Sequence, residues 1–420
     1  MATAAENFAS AAISRQATDY HEDTEAMRSV NDSEVVIVGG GPAGLSAAEA
    51  IARRGHAALV LEQNHEIGSP IRTSGGSFID ELKTLGIPPH LYHPITRVRF
   101  LSPANEARFD YPEPKLCVMD VRGVFQHLAM RAVDSGARIR TNTRVTAPVM
   151  ENGAVKGVRI GDETIGSQVV IDATGYRAAI LKQAGLDPSI QRFGVGAEYD
   201  FYAPHCDESE VLLFAGSELA PAGYAWVFPW GHKRVRVGVG IIHPDSKAKP
   251  EEYLDYLVDN LDRFGVNMKG AQPIEHHFGL IPSECFAAKY SGDGILGAGD
   301  AAGHASSLVG EGIRWAIQAG RMAGEIVANA LDRNDVSRDA LVEFERKWEK
   351  RYGRDLRVAH ILNERMARWD DRKWDERMEV VKRLTPHQFI EALKTNLTGG
   401  WLLRFLASNP KTIAEAAGIF

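Results

Sequence analysis

Glu34-Val35-Val36-Ile37-Val38-Gly39-Gly40-Gly41-Pro42-Ala43-Gly44 is the most informative stretch of this chain. Val35 to Val38 form a continuous apolar run, the pattern of a parallel strand buried on both faces. The next six residues read G-x-G-x-x-G. Leu45, Ala48, Ile51 and Ala52 then recur at helical spacing, and Gly55 ends that helix. Ala58-Leu59-Val60-Leu61 predicts a second strand, which delivers Glu62 at its end. Gly39 permits the tight turn, Gly41 lets the backbone approach a pyrophosphate, and Gly44 lets helix and strand pack closely. Pro42 and Ala43 complete the loop. Unpaired N–H groups and the positive end of the helix dipole face the phosphates. Glu62 is placed to accept hydrogen bonds from ribose hydroxyls and disfavours a 2′-phosphate. Strand, glycine loop, helix, second strand and terminal acid occur in the order a dinucleotide site requires.

The rest of the composition suits a globular protein. The chain has 420 residues, enough for two or three structural units, with 44% hydrophobic and 25% charged residues. A net charge of −7 with interspersed signs argues against a nucleic-acid partner. Cys117, Cys206 and Cys285 lie far apart with no CxxC pair. No metal site or iron–sulfur cluster is expected, and the cysteine usage suits a reducing compartment such as the cytoplasm. Residues 1–32 carry neither a basic segment followed by an apolar one nor the acid-poor composition of a transit peptide, so a mobile tail is expected.

A second glycine-rich stretch reads Ile295-Leu296-Gly297-Ala298-Gly299-Asp300-Ala301-Ala302-Gly303-His304, followed by Val309-Gly310-Glu311-Gly312-Ile313-Arg314 and a long helical pattern. A short strand would deliver Asp300 to ribityl hydroxyls. The helix beginning near Gly312 would aim its positive end at the pyrimidine edge of a flavin. Taken with the first motif, this resembles the para-hydroxybenzoate hydroxylase class of FAD enzymes. Asp120-Val121-Arg122 before a helix and Val169-Val170-Ile171-Asp172-Ala173-Thr174-Gly175 match two further stretches of that class, although Thr174 departs from its usual Ala-Asp-Gly. The resemblance implies FAD as cofactor. It assigns to the cofactor Arg72, Arg122, Val145, Asp172, Asp300, Gly310, Gly312 and Ile313, beside Gly39, Gly41, Pro42, Ala43, Gly44 and Glu62.

The expected fold is α/β: a Rossmann-type FAD-binding domain with an inserted antiparallel-sheet substrate domain and a C-terminal helical region. The boundaries are a tail at 1–32, a discontinuous FAD domain at 33–193 and 281–335, a substrate domain at 194–280 and helices over 336–420. Asn152-Gly153 and Gly161-Asp162 predict hairpin turns of a small ribbon. Val235, Val237, Val239 and Ile241 alternate with Arg234, Arg236, Gly238 and Gly240, predicting a half-buried strand. Tyr224, Trp226 and Phe228 fall on one side of a strand, with Pro229 expected to stop its pairing.

Pro221-Ala222-Gly223-Tyr224-Ala225-Trp226-Val227-Phe228-Pro229 resembles the P-x-x-Y-x-W-x-F-P signature of geranylgeranyl reductases. The resemblance implies reduction of C=C bonds in a prenyl chain, with Tyr224, Trp226 and Phe228 walling the substrate cavity. Those reductases commonly carry a cysteine where this chain has Thr73, which removes any thiol step there. His304 is a candidate proton donor, or else a hydrogen-bonded structural residue. An oxygen-using monooxygenase acting on a hydrophobic molecule and a flavoprotein passing electrons to a quinone are the alternative activities. The reductant would be NADPH or another donor. Over 338–384, Phe344, Trp348, Tyr352, Leu356 and His360 predict amphipathic helices. Trp401 to Leu406 is a short apolar segment suited to packing, to a lipid entrance or to peripheral membrane contact. The sequence leaves the oligomeric state open.

Overall fold

The computed structural model describes residues 33–284, 287 and 289–396. The tail expected at 1–32, Cys285 and the apolar segment at 401–406 lie outside the described residues. Among the described residues, no helix is long and apolar enough to cross a membrane.

Val35–Val38 forms the centre of a six-stranded sheet. Its order is Ser291–Gly292, Ile295–Gly297, Val169–Asp172, Val35–Val38, Ala58–Leu61, Arg138–Arg140. All neighbours run parallel except the first pair. All four residues of Val35–Val38 are buried, as the unbroken apolar run predicts. Each such side chain removed from water contributes about 1.5–3 kcal/mol. The helix Pro42–Arg53 packs against the late helix Ile313–Asp332. The approach depends on small residues. A Cβ on Gly320 would stand 2.1 Å from the Ala43 carbonyl oxygen, and one on Gly324 2.6 Å from that of Ala47. A three-stranded ribbon, Ala147–Glu151, Ala154–Ile160 and Glu163–Gly166, turns at Asn152-Gly153 and Gly161-Asp162 as expected.

The second sheet has seven strands in the order Gln272–Pro282, Phe193–Tyr202, Arg234–His243, Ala220–Gly231, Glu210–Gly216, Arg97–Leu101, Glu106–Asp110. Its last two strands come from outside the segment 194–280, so that boundary is corrected: residues 97–110 extend the substrate sheet. They pair there because Arg97–Leu101 runs parallel to Glu210–Gly216 and buries Val98 beside Val211. One face of this sheet, with Ala197, Leu212, Val227, Val237 and Val239, packs on Leu254 and Leu257 of the helix Pro250–Asp259. The strand Arg234–His243 is not half-buried as its alternation suggested. Arg236 on the opposite face is only 1% exposed, because that face is covered too. Pro229 does not end pairing either. The strand continues to Gly231, with a register shift between the two residues that accommodates the missing N–H.

The C-terminal helices close the molecule. Glu343–Met366 buries Phe344, Trp348 and Leu356 in the core of the first sheet. Asp371–Val381 and Pro386–Leu393 cover the far end of the second sheet, where Phe389 stacks on Phe109 at 4.1 Å. A capping box, Thr385 with Gln388, starts the last helix.

Candidate active site: a cofactor cleft continuous with an apolar channel

A cavity of about 910 Å³ runs between the two sheets. Its first part is built by the glycine loops. Gly39 adopts φ +114°, and a Cβ there would meet the Ala173 carbonyl oxygen at 2.2 Å. Gly44 lies behind the loop, where a side chain would strike the Gly39 carbonyl oxygen at 2.1 Å. Gly41 differs from both, because a Cβ there would point into open space. That emptiness is what a close-lying pyrophosphate needs. Pro42 and Ala43 also line the cleft.

Glu62 accepts from the Gly40 N–H at 2.8 Å and from the Asn64 N–H at 2.8 Å, which fixes its carboxylate on the cleft wall. A carboxylate has lone pairs left for ribose hydroxyls. Arg72, Val145, Asp300, Gly310, Gly312 and Ile313 line the same cavity. The helix Ile313–Asp332 has no acid in its first turn and no side chain capping its N-terminus. Its first N–H groups, which have no partner within the helix, are therefore available to an electron-rich ring edge. Asp300 lies beside it, with Oδ1 3.5 Å from where a Cβ on Gly312 would stand. Burial pushes the Asp300 carboxyl up to about 6. A cradle that side chains would fill, a free helix terminus and two acids for sugar hydroxyls fit FAD.

Two assignments need correction, and His304 takes the structural one of its two expected roles. Asp172 is not on the cavity wall. It is fully buried, and its carboxylate accepts from Thr174 N and Oγ1 and from the N–H groups of Ile180 and Leu181. It thereby caps the short helix Ala179–Gln183, and Thr174 is part of that cap. Arg122 also stands off the wall. It lies behind Gly68, with Nε 3.8 Å from Glu66. His304 is sealed in the core. Its Nδ1 accepts from the Gly299 N–H at 3.2 Å, and its ring packs 4.2 Å from that of Trp348.

Burial lowers the His304 pKa to about 3, so near pH 7 the ring is neutral and is no acid for the substrate. The unfolded chain binds a proton at that imidazole near pH 6.5 and the folded chain does not. This contribution to stability is complete above pH 6.5 and is lost as pH falls towards 3, at up to about 1.4 kcal/mol per pH unit. His304→Gln is therefore expected to flatten the acid limb of a denaturation series while leaving the pH profile of turnover unchanged. A profile that changed shape would return His304 to the chemistry.

The second part of the cavity is walled by the second sheet. Tyr224, Trp226 and Phe228 face it from one strand, with neighbouring ring centroids 5.4 and 6.0 Å apart. Their polar handles are committed to protein. Tyr224 donates to the Val309 carbonyl at 2.7 Å, and Trp226 Nε1 donates to Glu198 Oε2 at 2.8 Å. Burial, and then the charges of Glu198 and Glu311, push the Tyr224 phenol above its ordinary range. Both residues thus offer apolar faces to the cavity. Gly238 makes room for the indole, since a Cβ there would lie 2.3 Å from Trp226 Cζ2.

Beyond the aromatic strand the wall becomes apolar: Val98, Phe100, Val211, Leu213, Trp374 and Phe389. Sequence patterning did not reveal this arm, because its residues come from four separate elements. It also missed Glu198 and His277 on the polar side of the wall. The alternation Glu198, Asp200 within Phe193–Tyr202 was the available signal: two acids on one face of an otherwise apolar strand.

A two-sheet fold with this cleft defines an FAD-dependent oxidoreductase. The profile described as an FAD binding domain matches residues 32–340. A digeranylgeranylglycerophospholipid reductase of Methanopyrus kandleri is 31% identical over 338 residues, covering 78% of this chain and 84% of that protein. One from Methanoculleus marisnigri is 29% identical over 401 residues, 92% of this chain and 97% of the relative. The chain belongs to the geranylgeranyl reductase family of FAD-binding proteins. The crystal structure of a geranylgeranyl bacteriochlorophyll reductase-like protein from Thermoplasma acidophilum superimposes with a TM-score of 0.81 at 24% identity, covering 92% and 99% of the two chains. The halogenase PltM shares the fold at a TM-score of 0.64 and 16% identity, covering 83% of this chain and 80% of its own.

Proposed function

We propose that the protein reduces isolated C=C bonds of a geranylgeranyl-type lipid chain. The observation that carries this reading is the continuity of the cofactor cleft with an apolar channel long enough to involve both sheets and the C-terminal helices. Bound FAD, once reduced, supplies a hydride. The protein's part is orientation and exclusion of water. The faces of Tyr224, Trp226 and Phe228 hold an extended hydrocarbon at the border between cleft and channel. An unactivated alkene accepts hydride poorly, so fixed geometry must supply much of the rate. The names of the relatives support a digeranylgeranylglycerophospholipid as the substrate class. NADPH or another external two-electron donor would restore the reduced cofactor.

An anaerobic single turnover tests the proposal. Chemically reduced holoenzyme is mixed with a geranylgeranyl lipid while flavin absorbance and product mass are followed. Reoxidation accompanied by about two mass units gained per bond is the expected result, two hydrogens being added. Reoxidation only when oxygen is admitted, with an oxygenated product, would overturn it in favour of a monooxygenase.

A further inference from the structure

We infer that Glu198, His277 and Glu275 form a proton conduit from solvent to the cavity, ending in Glu198 as the acid that protonates the substrate. The inference rests on the prenyl-reductase reading, since reduction of C=C consumes one proton for each hydride.

The residues lie in neighbouring rows of the second sheet. His277 pairs with Glu198, Glu198 with Gly238, and Gly238 with Trp226. Glu198 Oε1 is 3.0 Å from His277 Nδ1, and His277 Nε2 is 3.0 Å from Glu275 Oε2. Glu198 and His277 are 4% and 5% exposed and both border the cavity. The Glu275 side chain is 33% exposed. The three therefore span the wall from water to the aromatic strand without a gap. Trp226 holds the other oxygen of Glu198 at 2.8 Å, which orients the carboxyl beside the proposed substrate faces.

A neighbour shows what a purely structural acid looks like here. Asp200, two residues along the same strand, accepts from Arg234, Arg236 and Trp230. Arginine holds its charge at every accessible pH, so Asp200 is locked. Glu198 lies 4.0 Å from Arg236 Nε, at the limit of an ion pair, and its hydrogen bonds go to Trp226 and to His277, a side chain that exchanges protons near neutrality. Burial opposes the charge on His277, but hydrogen bonds to Glu198 and Glu275 outweigh it and raise its pKa, with Arg236 acting in the opposite sense. Arg122 and Arg234 also bear on Glu275.

Other candidates on or near the wall are less suited. The Tyr224 hydroxyl is committed to Val309. The Cys117 thiol is pushed far up by burial. Asp300 sits in the cofactor cleft, and among the described residues no side-chain hydrogen bond links it outward. The segment holding Thr73 lies over this polar patch: Ser74 O accepts from Arg236 at 2.7 Å, and the Arg72 carbonyl oxygen stands 2.1 Å from a Cβ built on Gly279.

The step balances as follows. The alkene π bond opens, and one carbon gains a C–H bond from the hydride that reduced FAD, when bound, would give up with its electron pair. The Glu198 O–H bond breaks, and a C–H bond forms at the other carbon. The carboxylate recovers its proton from His277 Nδ1, and His277 is recharged at Nε2 through Glu275 from water. The two electrons originate in the external reductant that reduces the cofactor.

Glu198→Gln keeps an acceptor for Trp226 and removes the proton. Flavin reoxidation by the prenyl substrate in a single turnover is expected to slow by about 100- to 10,000-fold, the span of a positioned acid. In the wild type the rate falls as pH rises through the His277 pKa, and in the variant this limb disappears. Glu275→Gln is expected to slow the reaction less and to make it depend on the concentration of small buffer acids. In cofactor-free protein, ¹⁵N NMR should show the His277 imidazole titrating above the ordinary histidine range, and lower in both variants. Wild-type turnover with E198Q reacting at the same rate overturns the conduit alone, as does a His277 that titrates at or below the ordinary range. A wild type that reduces no prenyl chain overturns the proposed function and the conduit with it.

Discussion

Gly41→Val is expected to give a folded protein that purifies without flavin. A Cβ at Gly41 meets nothing within 4 Å, and its φ of −84° suits any residue. The isopropyl group therefore costs the protein itself little. It projects into the space that the backbone leaves for a pyrophosphate. FAD affinity should fall by about 100-fold or more, as expected when a close phosphate approach is blocked at a helix N-terminus. Circular dichroism and the melting temperature should match those of the cofactor-free wild type. Gly39 and Gly44 provide the contrast, because side chains there would strike backbone oxygens at 2.2 and 2.1 Å and damage the fold as well. A yellow G41V protein with unchanged FAD affinity would remove the cleft from the cofactor.

On the proposed function, Leu213→Trp should shift the preference from long prenyl chains to short ones. Leu213 stands between Trp226 and Phe100 in the sheet and lines the apolar arm. An indole there occupies the volume that the distal isoprene units require. For a 20-carbon chain, kcat/KM is expected to fall by about 100-fold, the scale of a pocket that excludes part of its ligand. A ten-carbon substrate that never reaches the arm should lose less than about threefold on the same reasoning. The FAD content should be unchanged, since Leu213 belongs to the second sheet and the glycine loops to the first. Leu212 shows the difference between the two faces. It is 3% exposed in the core under the helix Pro250–Asp259, so overpacking it is expected to cost about 1–3 kcal/mol of stability. Equal losses for both chain lengths in L213W would show that the arm does not hold the chain.

Local chemistry made the cofactor half legible. The unbroken run Val35–Val38, the glycine spacing and Glu62 each answer a requirement within a few residues of itself. The same is true of Gly299-Asp300 and the helix that follows Gly312. Where a motif residue had two local uses, the sequence did not choose between them. Asp172 serves as a cap for a helix seven residues later, its carboxylate accepting from the N–H groups of Ile180 and Leu181 at 2.8 Å. His304 follows the late glycine motif, yet the ring of Trp348, brought in by a helix from the C-terminal region, encloses it.

By itself, the sequence determined a dinucleotide cleft, a strand of aromatic side chains and the family to which both belong. The cleft and the strand follow from periodicity and from residues adjacent in the chain, and the family from the resemblance of the motifs. Only the tertiary structure decided which side of the second sheet meets the cofactor and what lies along it. Strands at Arg97–Leu101 and Glu106–Asp110 join that sheet across more than a hundred residues of chain. The pairing of Glu198 with His277 likewise depends on register between strands separated in the chain by three other strands and the helix Pro250–Asp259. Register is set by burying whole faces at once, and a one-residue slip would exchange the charged face for the apolar one. That cooperative choice, rather than any local preference, joins an apolar channel to a cofactor cleft and places a buried acid at their border.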